Sequence, residues 1–407
     1  MLCGLLGEKL SHSYSPQIHS YLGNYTYSLF EKPHSDIDDF IKNGDFTGLN
    51  VTIPYKKAVI PCCTELSDRA KQLGAVNTIV RKNDGTIIGH NTDYYGFSST
   101  LERSGLNISN KKVLVLGSGG ASATAVAVLQ EKGANVVVIS RSGPNNYMNI
   151  AQQSDAAMIV NTTPVGMYPN VGVSPVDLQC FPALEGVLDM IYNPARTKLL
   201  LDAENLGLVA MNGLWMLVAQ AKESAEWFTG KPISYDVIPR IHSTLAQQMQ
   251  NVILIGMPGC GKSSVGKCLA AVLQREFIDA DAEIEARPGI SIPDIFKIYG
   301  QAHFRKLESE VLRDLGKRSG LVIATGGGCI TVDENYSHLH QNGLIIWLKR
   351  PLDRLPTDGR PLSQAGKLQE MFESRALTYI YISRLQLHLP QAVQVAVLEN
   401  RDGRLTT

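Results

Sequence analysis

The sequence predicts an α/β protein, and two segments carry the prediction. Residues 111–120 read KKVLVLGSGG, and residues 251–264 read NVILIGMPGCGKSS. Each is a short apolar run rich in β-branched residues, then glycines, then an alanine- or leucine-rich helical stretch. Strand, glycine turn and helix in that order open a βαβ unit. The glycine spacings differ, so these are two distinct nucleotide sites and not a repeat. The 407 residues also leave room for two or three domains at roughly 150 residues each.

Composition narrows the function classes. Hydrophobic residues make up 44% and charged residues 19%, a globular balance. Lys+Arg 38 equals Asp+Glu 38, so bulk charge drives neither nucleic-acid binding nor a polybasic membrane contact. Seven cysteines with no Cys-x-x-Cys argue against a disulfide framework or zinc ribbon, and fit a reducing, cytoplasmic compartment. The first ten residues carry no basic leader, so no signal peptide is expected. Residues 206–221 form the longest apolar stretch, but Gly207, Asn212, Gly213 and Gln220 interrupt it. It reads as a buried segment, not a membrane span.

Domain limits follow from where the motifs fall. Residues 1–100 form a first α/β domain, completed by about 212–245, where LWMLVAQAKESAEWF reads as helix. Residues 101–211 form a dinucleotide-type unit. A polar lead at 243–250 ends in a boundary near 247, and residues 248–407 form the P-loop domain. Parallel sheets are expected throughout.

The P-loop domain shows its chemistry in order. Residues 256–263 fit G-x-x-x-x-G-K-[ST]. Backbone N–H groups of Gly259, Cys260, Gly261 and Ser264 can converge on phosphate at a helix N-terminus. Lys262 supplies a point charge and Ser263 a hydroxyl for Mg²⁺. Asp279 and Asp281 stand two apart at a strand end, where they can serve different partners. Arg305 and Glu308 share a helix face, and an arginine so placed can take a carboxylate bidentately. Gly326, Gly327 and Gly328 permit close backbone approach to a ligand.

In this order, over residues 251 to about 390, these motifs resemble shikimate kinase. The resemblance implies a small P-loop α/β kinase that uses Mg²⁺ and ATP. It places Ser263 and Asp279 at the metal, Lys262 and Asp281 in catalysis, and Asp281 on the shikimate hydroxyls. It places Arg305 and Arg375 on the shikimate carboxylate, with Gly327 and Gly328 beside the substrate. Arg360 becomes a lid arginine and Arg354 a nucleotide-side arginine. Three places depart from the pattern: Gln301 stands for the usual Glu, Ser363 follows Arg360-Pro361-Leu362, and Ala376-Leu377-Thr378 follows Arg375. They leave open a catalytically weak or regulatory ATP-binding domain.

The first 240 residues carry a second set. Gly117, Gly119, Gly120, Ala121 and Ser122 lie between strand and helix and can seat a pyrophosphate. Arg141 and Ser142 follow the next strand, and an arginine there accommodates a 2′-phosphate, which favours NADP over NAD. Ser13 and Ser15 present two hydroxyls in what reads as an extended stretch before Pro16. Asn50–Lys56, Ala75–Thr78 and His90–Asp93 bring amides, a lysine and an acid to strand ends.

Together these resemble shikimate dehydrogenase. The resemblance assigns Ser13, Ser15, Thr52, Asn77, Asp93, Tyr192 and Gln220 to the substrate. Lys56 and Asp93 become the catalytic pair, Met190 and Gly213 flank the nicotinamide, and Asn161, Thr162 and Thr163 run along the cofactor ribose. Ala123 stands where the family often has a basic residue, leaving the NADP phosphate largely to Arg141. The implied chemistry is NADPH-dependent reduction of 3-dehydroshikimate to shikimate, then ATP-dependent phosphorylation of shikimate to shikimate 3-phosphate. A homodimer is compatible with this reading. A quinate-accepting dehydrogenase remains the alternative for the first part.

Overall fold

The structure, a computed structural model, describes residues 1–10, 13–355, 367–383 and 385–388. Arg360 lies outside the described residues. The chain divides into two units, Met1–Tyr192 with Leu199–Ala246, and Asn193–Lys198 with Gln247–Thr407. All three sheets belong to an α/β architecture.

The first unit holds two sheets. Strands β1 (Leu2–Gly7), β2 (Thr26–Glu31), β3 (Gly48–Val51), β4 (Glu65–Leu66), β5 (Thr78–Arg81) and β6 (Ile87–His90) form one, in the order β2-β1-β3-β5-β6-β4. β1 runs parallel to β2 and β3. β5 runs antiparallel to both β3 and β6, which departs from the all-parallel expectation. The cause is local. Residues 82–86 are too few for a crossover, and Asn83-Asp84-Gly85 is a turn sequence. Gly85 takes φ 87°, and the Asp84 carboxylate accepts the Thr86 amide at 2.9 Å.

Strands β7 (Lys112–Leu116), β8 (Asn135–Ile139), β9 (Met158–Asn161), β10 (Gly186–Asp189) and β11 (Val209–Met211) form the second sheet, all parallel, in the order β11-β10-β9-β7-β8. Strand β7, held between β9 and β8, is buried on both faces, which explains its unbroken KVLVL run. Val113 and Val115 pack with Phe97 and Leu101, while Leu114 and Leu116 pack with Leu199 and Leu200.

Two helices join these sheets. Asp93–Ser104 packs against Leu214–Thr229 at Gly96, where a Cβ would come within 2.8 Å of the Met216 carbonyl oxygen. At its other end the Leu214–Thr229 helix lays Phe228 on Gly48 of β3. The stretch 243–250, expected as a polar lead, is mostly helix, because Val237–Met249 runs through it. Ile238, Ile241, Leu245 and Met249 recur at helical spacing and bury one face.

In the second unit, β12 (Asn251–Ile255), β13 (Phe277–Asp279), β14 (Val322–Ala324), β15 (Gly343–Lys349) and β16 (Leu385–His388) form a parallel sheet in the order β13-β14-β12-β15-β16. The helix Ile292–Lys317 is interrupted at Gly300, φ 79°. Beyond the break, Phe304, Glu308, Val311, Leu312 and Leu315 turn one face to the core.

Trp215 anchors the joining helices. It is 2% exposed, its indole N–H donates to Ser99 Oγ at 2.9 Å, and the Arg103 guanidinium lies 4.0 Å from the ring centroid. Trp215→Ala should lower unfolding stability by about 3–5 kcal/mol, the usual cost of deleting a buried aromatic. Urea denaturation of the whole chain measures it.

Candidate active sites

In the first unit a lysine meets an acid. Lys56 follows β3 through Thr52, whose carbonyl accepts the Tyr55 amide at 2.9 Å. Asp93 opens the helix after β6. Lys56 Nζ lies 2.6 Å from Asp93 Oδ2, with the side chains 28% and 14% exposed. The pair is accessible but held, as a proton-transfer pair needs.

Two side chains of the expected substrate set, Asn77 and Gln220, bond to Thr92, the residue before Asp93. Asn77 is buried, and its Oδ1 accepts the Thr92 amide at 2.7 Å. Because an amide N–H can only donate, this fixes Oδ1 inward and turns the NH₂ the other way. Thr92 Oγ1 lies 3.3 Å from Gln220 Oε1, and Gln220 Nε2 donates to the Leu217 carbonyl at 2.9 Å. Tyr192 is half-buried, its ring edge-on to Tyr14 at 6.2 Å, and burial raises the pKa of its hydroxyl. Ser15 is not in an extended stretch. It opens the helix Ser15–Ser20, with Pro16 in the first turn, and its amide donates to Ser13 Oγ at 3.2 Å. A proline near a helix start sacrifices no internal hydrogen bond.

The expected dinucleotide residues gather at the second sheet. Gly117 sits at φ 110°, and a Cβ there would lie 2.7 Å from Thr162 Oγ1 and 3.1 Å from Thr163 Cγ2. Gly119 and Gly120 face open space at the N-terminus of the helix Gly120–Glu131. That is room for a phosphate against free N–H groups, so the residues fit a dinucleotide. Ala121 is exposed, but Ser122 is buried and offers only its backbone. Arg141 and Ser142 are exposed just past β8. Met190 and Gly213 meet, since a Cβ on Gly213 would strike the Met190 carbonyl. The side chains of Asn161, Thr162 and Thr163 are spent internally. Thr162 Oγ1 donates to the Leu116 carbonyl, Thr163 Oγ1 to Asn161 Oδ1, and Asn161 Nδ2 to Asp189 Oδ1. The proton of each threonine hydroxyl is thereby committed inside the protein.

In the second unit, Gly256, Gly259 and Gly261 all take positive φ (147°, 81° and 102°), which coils the loop ahead of the helix Lys262–Leu273. Cys260 is buried, with its sulfur 3.9 Å from Lys262 Nζ. Lys262 Nζ donates to the Gly256 and Met257 carbonyls at 2.9 and 3.1 Å. Ser263 Oγ donates to Asp279 Oδ2 at 2.6 Å. Two hard oxygen donors beside a phosphate-shaped loop suit Mg²⁺ and a nucleotide. Ser264 is exposed in the first turn of that helix, and Arg354 is exposed after β15.

Asp281 faces the other way from Asp279. Burial, with the Asp279 charge beside it, raises the Asp281 pKa above its ordinary range. Arg305 pairs with the buried Glu308, whose pKa burial also raises although Arg305 opposes the shift. The Glu308–Arg305 pair is thus an interior one. Asp281 Oδ1 and Glu308 Oε1 each lie 2.8 Å from the point where a Gly326 Cβ would stand. The Arg305 guanidinium covers Gly328. Arg375 Nη1 and the Tyr379 hydroxyl both donate to the Gly327 carbonyl, at 2.9 and 3.0 Å. Asp281, Arg305, Arg375 and the glycine loop therefore form one cluster.

Several residues escaped sequence reasoning. Ser224 and Tyr14 stand in no strand-end motif. Thr78 and Thr92 sit inside quoted motifs, but nothing local sets them apart from their neighbours.

Fold and sites define a class: one chain with a dinucleotide-type oxidoreductase unit and a P-loop phosphotransferase-type unit. Known proteins narrow it. Residues 5–79 match the model of the shikimate dehydrogenase substrate binding domain, and residues 258–394 match that of shikimate kinase. A shikimate dehydrogenase (NADP(+)) from Clostridium perfringens is 37% identical over 251 residues, 56% of this chain and 92% of its own length. Shikimate dehydrogenase 1 from Peptoclostridium difficile superposes with TM-score 0.55 at 36% identity, covering 60% of this chain and 97% of that one. The Thermus thermophilus enzyme, in complex with NADP(H) and shikimate, gives TM-score 0.55 at 27% identity, covering 60% and 99%. The chain belongs to the shikimate dehydrogenase family and carries, in addition, a shikimate kinase domain. Among the described residues no helix is long and apolar enough to cross a membrane.

The raised Asp281 pKa means that folding holds a charge burial disfavours. Its folded pKa lies above the unfolded one, so Asp281 costs stability above that unfolded value, and the cost is lifted as pH falls through the folded one. Asp281→Asn should therefore raise the melting midpoint at pH 7 by about 2–4 °C. The gain should shrink as pH falls towards 4. Calorimetry at both pH values measures it.

Proposed function

We propose that the chain reduces 3-dehydroshikimate to shikimate with NADPH in its first unit, and phosphorylates shikimate with Mg-ATP in its second. The observation that carries the reading is the Lys56–Asp93 pair at 2.6 Å, in a chain whose relatives are shikimate dehydrogenases. NADPH would supply the hydride. Lys56 gives its proton to the oxygen of the ketone as it gains charge, and Asp93 aims the ammonium. The Asn77 NH₂, Gln220, Tyr192, Thr52, Ser13 and Ser15 hold the ring hydroxyls and carboxylate. Positioning of this kind is what converts binding into rate.

In the second unit, Gly259, Gly261 and Lys262 would hold the ATP phosphates, with Ser263 and Asp279 on Mg²⁺. For that, Lys262 must leave the loop carbonyls that now accept its protons. Asp281 takes the proton of the attacking shikimate hydroxyl, a task that a raised pKa suits. Arg305 and Arg375 grip the shikimate carboxylate. Phosphoryl transfer asks the protein mainly for such positioning and charge neutralisation.

Consecutive use of one compound supports both halves. Incubation with 3-dehydroshikimate, NADPH and Mg-ATP, followed by mass spectrometry, should yield shikimate 3-phosphate. Lys56→Ala should cut reduction by at least about 10²-fold and leave phosphorylation of added shikimate intact. Lys262→Ala should do the reverse. Accumulation of shikimate alone would favour a regulatory ATP-binding domain, and absence of any product would overturn the substrate assignment.

A further inference from the structure

Three hydroxyls lie behind the Lys56–Asp93 pair in a closed triangle. Thr78 Oγ1 is 3.2 Å from Thr92 Oγ1 and 3.0 Å from Ser224 Oγ, and Thr92 Oγ1 is 3.0 Å from Ser224 Oγ. All three residues are fully buried. They come from three places: Thr78 from β5, Thr92 from the turn before Asp93, and Ser224 from the helix Leu214–Thr229.

One neighbour is fixed. The Tyr27 hydroxyl donates to Asn50 Oδ1 at 2.8 Å, since a carbonyl oxygen cannot donate. The Asn50 NH₂ therefore points to the triangle and donates to Ser224 Oγ at 2.7 Å. Outside the triangle stand three acceptors. The Gln220 carbonyl is 3.0 Å from Ser224 Oγ. Asn77 Oδ1 is 3.1 Å from Thr78 Oγ1 and 3.2 Å from Thr92 Oγ1. Gln220 Oε1 is 3.3 Å from Thr92 Oγ1.

Three hydroxyl protons thus face three outside acceptors as well as the three edges, more acceptor contacts than protons. More than one proton arrangement satisfies the same oxygen positions. In particular, the Thr92 proton can serve Asn77 or Gln220, the two amides expected to touch the ring hydroxyls. A buried network of this kind orients its members only while complete.

We propose that the Thr78–Thr92–Ser224 hydroxyl triangle is a positioning device for the reduction. It holds the Asn77 NH₂ toward the substrate hydroxyls and parks Gln220 until a substrate hydroxyl takes its place on that amide. Thr78 and Ser224 act through Asn77 and Gln220 and are positioning residues. This rests on the dehydrogenase reading above.

The test is steady-state kinetics on the whole chain with 3-dehydroshikimate and NADPH. Thr78→Val removes one corner at nearly constant volume, Ser224→Ala removes another, and Thr78→Ser keeps the hydroxyl. Thr78→Val and Ser224→Ala should each raise KM for 3-dehydroshikimate roughly ten-fold, the scale of losing a buried hydrogen bond, with KM for NADPH unmoved. Thr78→Ser should restore the wild-type KM. An unchanged 3-dehydroshikimate KM overturns the inference. So does a parallel rise in both KM values, or a Thr78→Ser as impaired as Thr78→Val. If Ser224→Ala does not fold, the two Thr78 variants decide. A wild-type chain that turns over no 3-dehydroshikimate overturns the dehydrogenase reading and this inference with it; an active wild type with unmoved variants overturns the inference alone.

Discussion

The pairing register across β3, β5 and β6 is the constraint on which the first unit's chemistry depends. Asn50 pairs with Thr78, and Thr78 pairs with His90. A slip of one residue in β5 would turn its side chains to the opposite face. Thr78 would leave Asn50 and Ser224. The Asn77 oxygen would lose the Thr92 amide two residues beyond His90. Lys56 lies just past β3 and Asp93 just past β6, so their meeting is set by the same alignment. A short antiparallel turn at residues 82–86 therefore governs a contact more than thirty residues apart in sequence.

The two nucleotide-type loops share an order of elements but not a mechanism of bending. The first uses one left-handed glycine, Gly117, then leaves Gly119 and Gly120 bare at a helix start. The second coils through three, and encloses the lysine it presents. An open loop suits a dinucleotide that passes across a sheet. A coiled loop suits a phosphate chain gripped from several sides.

What the sequence made legible was local. The P-loop glycines and lysine are contiguous, so their pattern states their geometry. Asp279 and Asp281 diverge because strand gives way to helix between them, whereas residues two apart on a continuing strand would share a face. Ser224 was not legible, because it joins Asn50 across 174 positions and its neighbours give it no distinguishing pattern. Nor was the internal use of Asn161 and Thr162, since a strand-end motif does not tell whether its polar atoms face a ligand or the next strand. The start of the helix at Ser15 was misread because a residue before proline usually avoids helix, a preference that a first turn overrides.

Gly327 rests on the ring of Pro258, where a Cβ would stand 2.6 Å from the proline Cγ. A stiff ring against bare backbone leaves no slack, and close-packed interiors transmit displacement instead of absorbing it. The carbonyl of this same glycine tethers Arg375 and Tyr379. Two walls of this domain thus meet on a single residue, the proline ring against its α-carbon and the two donors on its carbonyl.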